Sequence, residues 1–409
     1  MAGELERTAG LPVVLLGAFD RHNFGDLLFP HIVAALLPGR ELSFAGLADR
    51  DLRRYGGHAV TALPKLAAAL DGRPAAVLHV GGEILTCEAA QAAVMLLEPG
   101  EARHTIAYLD ARPARKRAWV RRALGTASLA PYVASRGLFP AGSRILHSAV
   151  GGVALDRCAP ALRAEVFGSL ADADAVGVRD ARTLALLEAG GVGARLMPDA
   201  AVMVEAIFGD RIRARAGQGE VAQVRAAFPG GYLAVQFSAD FGDDATLARL
   251  ADQLDRVSAS TGLGIVLFRA GAAPWHDDLD SLGRLAALLK KAARARVFES
   301  LQLWDVCALL EGSRGYCGSS LHGRIVAMAF ALPRVGLSDP STGPGPCKHG
   351  AFAATWEDPQ APGAVAVDAL AEGVRAALAV DRHRLELTAR RLVEAFREGF
   401  DAISAASGA

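Results

Sequence analysis

The chain has 409 residues, 52% of them hydrophobic, and its 44 basic and 44 acidic residues cancel. That is apolar chain enough for two buried domains of roughly 150–200 residues each. The balanced charge excludes a nucleic-acid binder that works through a strongly basic surface. No apolar run reaches the roughly 20 residues needed to cross a bilayer, and the start, Met1-Ala2-Gly3-Glu4, reads unlike a signal peptide. Five cysteines without metal-like spacing suit a reduced, cytoplasmic protein.

Residues 12–17 form a continuous apolar run, the pattern of a parallel strand buried on both faces. A polar loop from Gly17 to Asp26 follows, and then a helical stretch from Leu27 to Leu37. Strand, glycine loop and helix make a common ligand seat at the C-terminal edge of a sheet. Gly17 and Gly25 lack the dinucleotide spacing. Asn23 and Asp26 read either as helix caps or, with Asp20, as partners for sugar hydroxyls. Further strands are expected at 75–80, 104–109 and 144–150. Gly81 and Gly82 follow the first of these, where the backbone must approach a ligand or a neighbouring helix. Glu83 is a carboxylate for a sugar hydroxyl or for general-base work, or else a solvated loop residue. Arg112, Arg115, Lys116, Arg117, Trp119, Arg121 and Arg122 share a basic, aromatic helix. It is either a solvated face or a surface for anionic lipid or acidic polysaccharide.

Residues 175–178 read as a strand ending in Arg179-Asp180, before a helix at 181–188 and a short strand reaching Pro198-Asp199. A buried guanidinium is expensive unless paired, so Arg179 must face Asp180, Asp199 or an anionic ligand. The polar stretch 208–222 reads as a linker between an N-terminal domain, 11–207, and a C-terminal one, 223–380. In the latter, strands at 232–237, 264–269, 296–298, 314–318 and 334–336 alternate with helices. The alternation predicts parallel βαβ units, hence an α/β chain of two Rossmann-like domains facing across a cleft. The tail, 381–409, reads as an amphipathic helix crossing back to the first domain.

Gly318 to Ala327 reads as a strand end, a turn and a helix start. The first amides of a helix lack intrahelical partners and carry the positive end of its dipole. Ser319 and Ser320 suit its N-cap, and His322 and Arg324 add an imidazole and a fixed cation. The set fits a phosphorylated or carboxylated small molecule; an ordinary capped helix is the other reading. Residues 337–350 read as a loop, a lid or cleft wall, that carries Lys348, one of five lysines.

Taken together, Asn23-Phe24-Gly25-Asp26, Gly81-Gly82, Val178-Arg179-Asp180, Pro198-Asp199 and Ser319-Ser320-Leu321-His322-Gly323 resemble the polysaccharide pyruvyl transferase family. The resemblance spans about residues 13–350, and the Ser-Leu-His-Gly form is similar to the exopolysaccharide-type branch. It implies a GT-B-like pair of domains that moves a pyruvyl group from phosphoenolpyruvate onto a sugar as a ketal. It also implies a saccharide acceptor, which a lipid linkage would place at the inner face of the cytoplasmic membrane, and neither nucleic acid, metal nor cofactor. Carried over, His322 and Arg179 are catalytic, with Arg179 on the donor's anionic groups and His322 the general acid. Ser319, Ser320, Leu321, Gly323, Arg324 and Lys348 line the donor side; Asp20, Asn23, Asp26, Gly81, Gly82 and Glu83 line the acceptor side. Relatives often carry Arg where this chain has Ser320, a loss that Arg324 or the amides of Ser319 and Ser320 would offset. The rival readings are a glycosyltransferase using a nucleotide-sugar donor and a catalytically silent glycan binder.

Overall fold

In the computed structural model, which describes residues 10–338 and 347–407, the apolar runs form the central strands of two sheets. The first sheet comprises β1 (Val13–Leu16), β2 (Leu42–Gly46), β3 (Arg50–Asp51), β4 (Ala59–Ala62), β5 (Ala76–His79), β6 (Arg144–Val150), β7 (Ala175–Val178) and β8 (Arg195–Leu196). Its order is β3-β4-β2-β1-β5-β6-β7-β8, with only β3 antiparallel to its neighbour. The second comprises β9 (Tyr232–Gln236), β10 (Gly264–Phe268), β11 (Ala295–Phe298), β12 (Gly315–Gly318), β13 (Arg334–Leu337) and β14 (Ala364–Val365). Its order is β11-β10-β9-β12-β13-β14, parallel throughout. Strand order reverses between β1 and β5 in one sheet and between β9 and β12 in the other. Such switch points open crevices at the carboxyl ends of the strands. The two crevices face each other.

Three expectations are corrected. Residues 104–109 lie inside the helix Pro99–Asp110, not on a strand. Ala102 and Leu109, seven apart, are buried while Glu101, Arg103 and His104 are exposed, so the apolar stripe follows helical periodicity. The stretch 208–222 is largely helical, spanning the end of Val204–Arg215 and the start of Gly219–Ala227. Lys348 opens the helix Lys348–Trp356 instead of lying in a loop. Most of the loop read as a lid or wall, residues 339–346, lies outside the described residues.

The lobes share one apolar core. The fully buried turn Ala200–Met203, just after Asp199, packs against the helices Phe24–Leu36, Leu321–Ala329 and Arg382–Ala405. The last of these does return to the first lobe, where it meets β6 and β7. Backbone bonds also cross the gap: Phe24 N–H donates to Ala270 O (2.8 Å) and Ala272 N–H to His22 O (3.1 Å). A contact made by backbone cannot be altered by side-chain drift, so the first lobe's glycine loop is fixed against the loop after β10.

Candidate active site

Between the lobes lies a cleft of about 820 Å3, and the loops that follow β1, β5, β9 and β12 all contribute to it. Of the residues singled out above, Asn23, Asp26, Glu83, Arg179, Ser319, Ser320, Leu321, His322 and Lys348 line it. Residues 300 positions apart in sequence thus meet because both sheets end there.

The charged centre is a relay of four side chains. Arg179 is buried and holds Asp199 through Nη1 (2.9 Å) and Glu83 through Nη2 (2.6 Å). His322 Nε2 approaches the same Asp199 oxygen at 3.6 Å, too far for a formed hydrogen bond, and otherwise has no partner. Of the three partners open to Arg179, Asp199 takes it, Glu83 joins from outside that set, and Asp180 instead caps the helix Ala181–Ala189 through Thr183 N–H (2.7 Å). With Nη1 and Nη2 each donating to a carboxylate, Arg179 organises Glu83 and Asp199 at the cleft wall. Burial works against the Asp199 charge, but His322 and Arg179 outweigh it and hold the carboxyl below its ordinary range.

His322 owes its position to a missing side chain. Its ring packs edge-on to Phe29 (5.2 Å between centroids) and lies against the first turn of the helix Phe24–Leu36. A Cβ on Gly25 would sit 2.0 Å from His322 Cγ and Nδ1. Asn23 caps that helix by accepting from Gly25 N–H (3.1 Å), so the cap reading holds for Asn23 while it also faces the cleft.

Five proposed site residues serve the scaffold. Arg324 is buried, clasping Glu357 (Nε–Oε1 2.6 Å, Nη2–Oε2 2.9 Å) and the Pro362 carbonyl (2.7 Å), with Arg334 on the same carboxylate. Gly323 allows contact with the Tyr316 ring, which a Cβ would meet at 2.6 Å. Asp20 accepts from Leu47 N–H (2.5 Å) and Tyr132 O–H (2.7 Å) inside the first lobe. Gly81 and Gly82 adopt φ of 119° and 88°, which glycine tolerates, and Gly82 bridges to Val150. None of the five lines the cleft.

The offset expected for Ser320 also changes. Ser319 N–H donates to Gln236 O (3.3 Å) and Ser320 N–H to Gln236 Oε1 (2.7 Å), so those amides are taken. Ser320 Oγ caps the helix by accepting from Gly323 N–H (3.2 Å). Among the described residues, Leu321 and His322 keep partnerless backbone N–H groups at the dipole's positive end. Lys348 stands opposite at a second helix start. Arg21 adds a third cation, resting on the Tyr132 ring with a buried Nε that has no partner.

Sequence reasoning passed over the loop after β10. Asp277 accepts from Ala270 N–H (2.5 Å) and Gln236 Nε2 (2.8 Å), yet burial pushes its carboxyl up to about 7. Beside it Trp275 is 50% exposed into the cleft and has φ of 63°, an uncommon conformation for a bulky residue. The available signal was position: both follow a strand's carboxyl end.

The family model for polysaccharide pyruvyl transferase matches residues 152–340, which bears out the resemblance and contains Arg179, Asp199 and Ser319 to Arg324. No curated protein matches the chain. The fold is similar to that of MnaA from S. aureus in its UDP co-structure, at 12% identity over 96% of this chain and 97% of that one, TM-score 0.52. It is also similar to UDP-GlcNAc 2-epimerase from Methanocaldococcus jannaschii in complex with UDP-GlcNAc and UDP, at 12% identity over 94% and 99%, TM-score 0.51. At these identities the likeness shows a GT-B fold and nothing of substrate.

Proposed function

We propose that this chain, matched over 152–340 by the polysaccharide pyruvyl transferase model, moves the pyruvyl group of phosphoenolpyruvate onto a sugar of a bacterial polysaccharide or its lipid-linked repeat unit, forming a pyruvate ketal. The observation that carries the reading is the convergence of Arg179 and His322 on one oxygen of Asp199, inside the cleft and inside the matched span.

The donor bears a phosphate and a carboxylate. Lys348, Arg21 and the free amides of Leu321 and His322 supply fixed positive charge and N–H donors for them. Arg179 acts one step back, holding Glu83 and Asp199 in place. Asp199 in turn orients the imidazole, so that His322 is poised as general acid. A proton passes from His322 to C3 of the enol double bond, whose π electrons form the new C–H bond and leave C2 electron-deficient. An acceptor hydroxyl oxygen bonds to C2 and gives its proton to Glu83 or Asp277. The C2–O bond to phosphate then breaks with its electron pair on the phosphate, and a second hydroxyl oxygen adds to C2 to close the ketal while its proton passes to His322, restoring the acid. Trp275 offers the acceptor sugar a flat apolar face.

The test is phosphate release from phosphoenolpyruvate with candidate acceptor glycans, run beside thermal shifts with each donor class. Phosphoenolpyruvate should raise the melting temperature, and His322→Ala should lower turnover by about 10²–10⁴-fold, the usual contribution of a positioned acid. Stabilisation by nucleotide-sugars alone would replace this reading with a glycosyltransferase. Glycan binding that survives His322→Ala, with no phosphate released by either protein, would leave a silent binder. A lipid-linked acceptor would bring the chain to the inner face of the membrane; among the described residues no helix is long and apolar enough to cross one.

A further inference from the structure

The connection from β5 to β6 carries two helices, Pro99–Asp110 and Pro113–Leu124, that lie outside the sheet layers. They form a hairpin packed on the helix Ala89–Met95, through Ala92, Ala93, Val120 and Leu124. That supporting helix places Gln91 and Met95 in the cleft wall, so the hairpin stands directly behind the cleft. Its charge is one-sided. Residues 99–125 hold seven Arg and Lys against Glu101 and Asp110, whereas the rest of the chain holds 37 basic against 42 acidic residues. Lys116 pairs with Asp110 (2.8 Å), but among the described residues Arg117, Arg121 and Arg122 face no carboxylate. All three are exposed.

Aromatic side chains accompany the cations. Arg115, Trp119 and Arg122 follow one another at helical spacing and face His104, Thr105 and Tyr108 of the other helix across a groove of about 670 Å3. Tyr108 is 46% exposed, and Arg112 lies 4.4 Å above its ring. Amphipathic rings with arginines around them suit the boundary between lipid headgroups and water. A long polyanion would also lie across the net-acidic remainder of the chain, which repels it, whereas a planar membrane touches only what protrudes.

We propose that this helical hairpin docks the protein onto a membrane surface rich in anionic phospholipid, with the arginines on headgroup phosphates and Tyr108 and Trp119 at the interface. Docking here sets the cleft beside the membrane. The inference stands apart from the transfer chemistry, and it is tested without donor or acceptor.

The full chain is sedimented with neutral phosphatidylcholine vesicles and with vesicles containing about a third phosphatidylglycerol, at low and at high salt. Binding is expected only to the anionic vesicles and only at low salt. Each cation near such a surface is worth about fivefold in partitioning, so Arg117→Glu/Arg121→Glu/Arg122→Glu should reduce it by about a hundredfold or more. These residues are exposed and lack acidic partners, so the thermal melt should not move. If the reversal variant does misfold, the glutamine triple variant, which removes three cations, should still weaken binding by about a hundredfold. Phosphate release with a soluble acceptor should be unchanged in either variant. The proposal is overturned by equal binding to neutral vesicles, by no binding to either, by binding that ignores the substitutions, or by preference for a soluble acidic polysaccharide.

Discussion

Gly25→Ala should damage the protein only through His322, and the sign of its effect should depend on that residue. Gly25 lies in the first turn of a helix at a negative φ, where alanine is intrinsically better than glycine by up to about 1 kcal/mol. Against this, the new Cβ would lie 2.0 Å from the imidazole Cγ and Nδ1 and 2.4 Å from its Cβ. The ring cannot retreat freely, because Phe29 packs on its edge and the fully buried Ala200–Met203 turn supports its helix. Overpacking of this kind costs about 1–3 kcal/mol. The net expectation is a loss of about 1–2 kcal/mol in the native background. In His322→Ala the obstruction is gone, and the same substitution should be neutral or stabilising. Urea denaturation of the four proteins closes the cycle, with an interaction energy of about 1–3 kcal/mol. An equal cost of Gly25→Ala in both backgrounds would refute the packing argument, whatever the enzyme proves to do.

Glu357→Ala should cost about 3–5 kcal/mol because it strands two buried arginines, whereas Arg324→Met, which leaves the Arg334–Glu357 pair balanced, should cost far less. Donor binding by calorimetry should survive Arg324→Met and weaken in Lys348→Ala; the opposite pattern would return Arg324 to the donor site. Asp277 gives a pH signature. Its folded pKa near 7 exceeds the unfolded value of 3.8, so the native state holds the extra proton and stability falls as pH rises from about 4 to 7. Asp277→Asn should therefore stabilise the protein at pH 8 relative to the native chain and lose that advantage near pH 4, read from denaturation midpoints. Trp275→Ala should raise the acceptor KM severalfold with little change in kcat, as expected for a stacking face; an unchanged KM would remove it from the site.

Arg179 and Arg324 mark the boundary between what sequence could and could not say. Arg179 ended an apolar strand and Arg324 stood in the first turn of an apolar helix, and both read as cations available to an anion. Physical reasoning demanded a partner for a buried guanidinium, and Asp199 was among the three it left open for Arg179. It could not see Glu83, because that contact joins the loops after β5 and β7 across the sheet edge. It could not see Glu357 for Arg324, because nothing near position 324 reveals which face of the helix meets the next segment.

The periodicity of apolar residues was sufficient for the paired parallel sheets, and the Gly-Ser-His turn was sufficient for the helix start in the cleft. Both are local: strand burial and end-of-helix amides are properties of short segments. It failed at 104–109, where six residues fit either period and only the wider helix decided. Which carboxylate holds which cation, and the roles open to Asp277, depended on loops distant in sequence that meet at the edge of one sheet. Why Gly25 must lack a side chain depended on His322 arriving from the opposite lobe, a contact fixed by how two sheets dock, which no segment encodes alone.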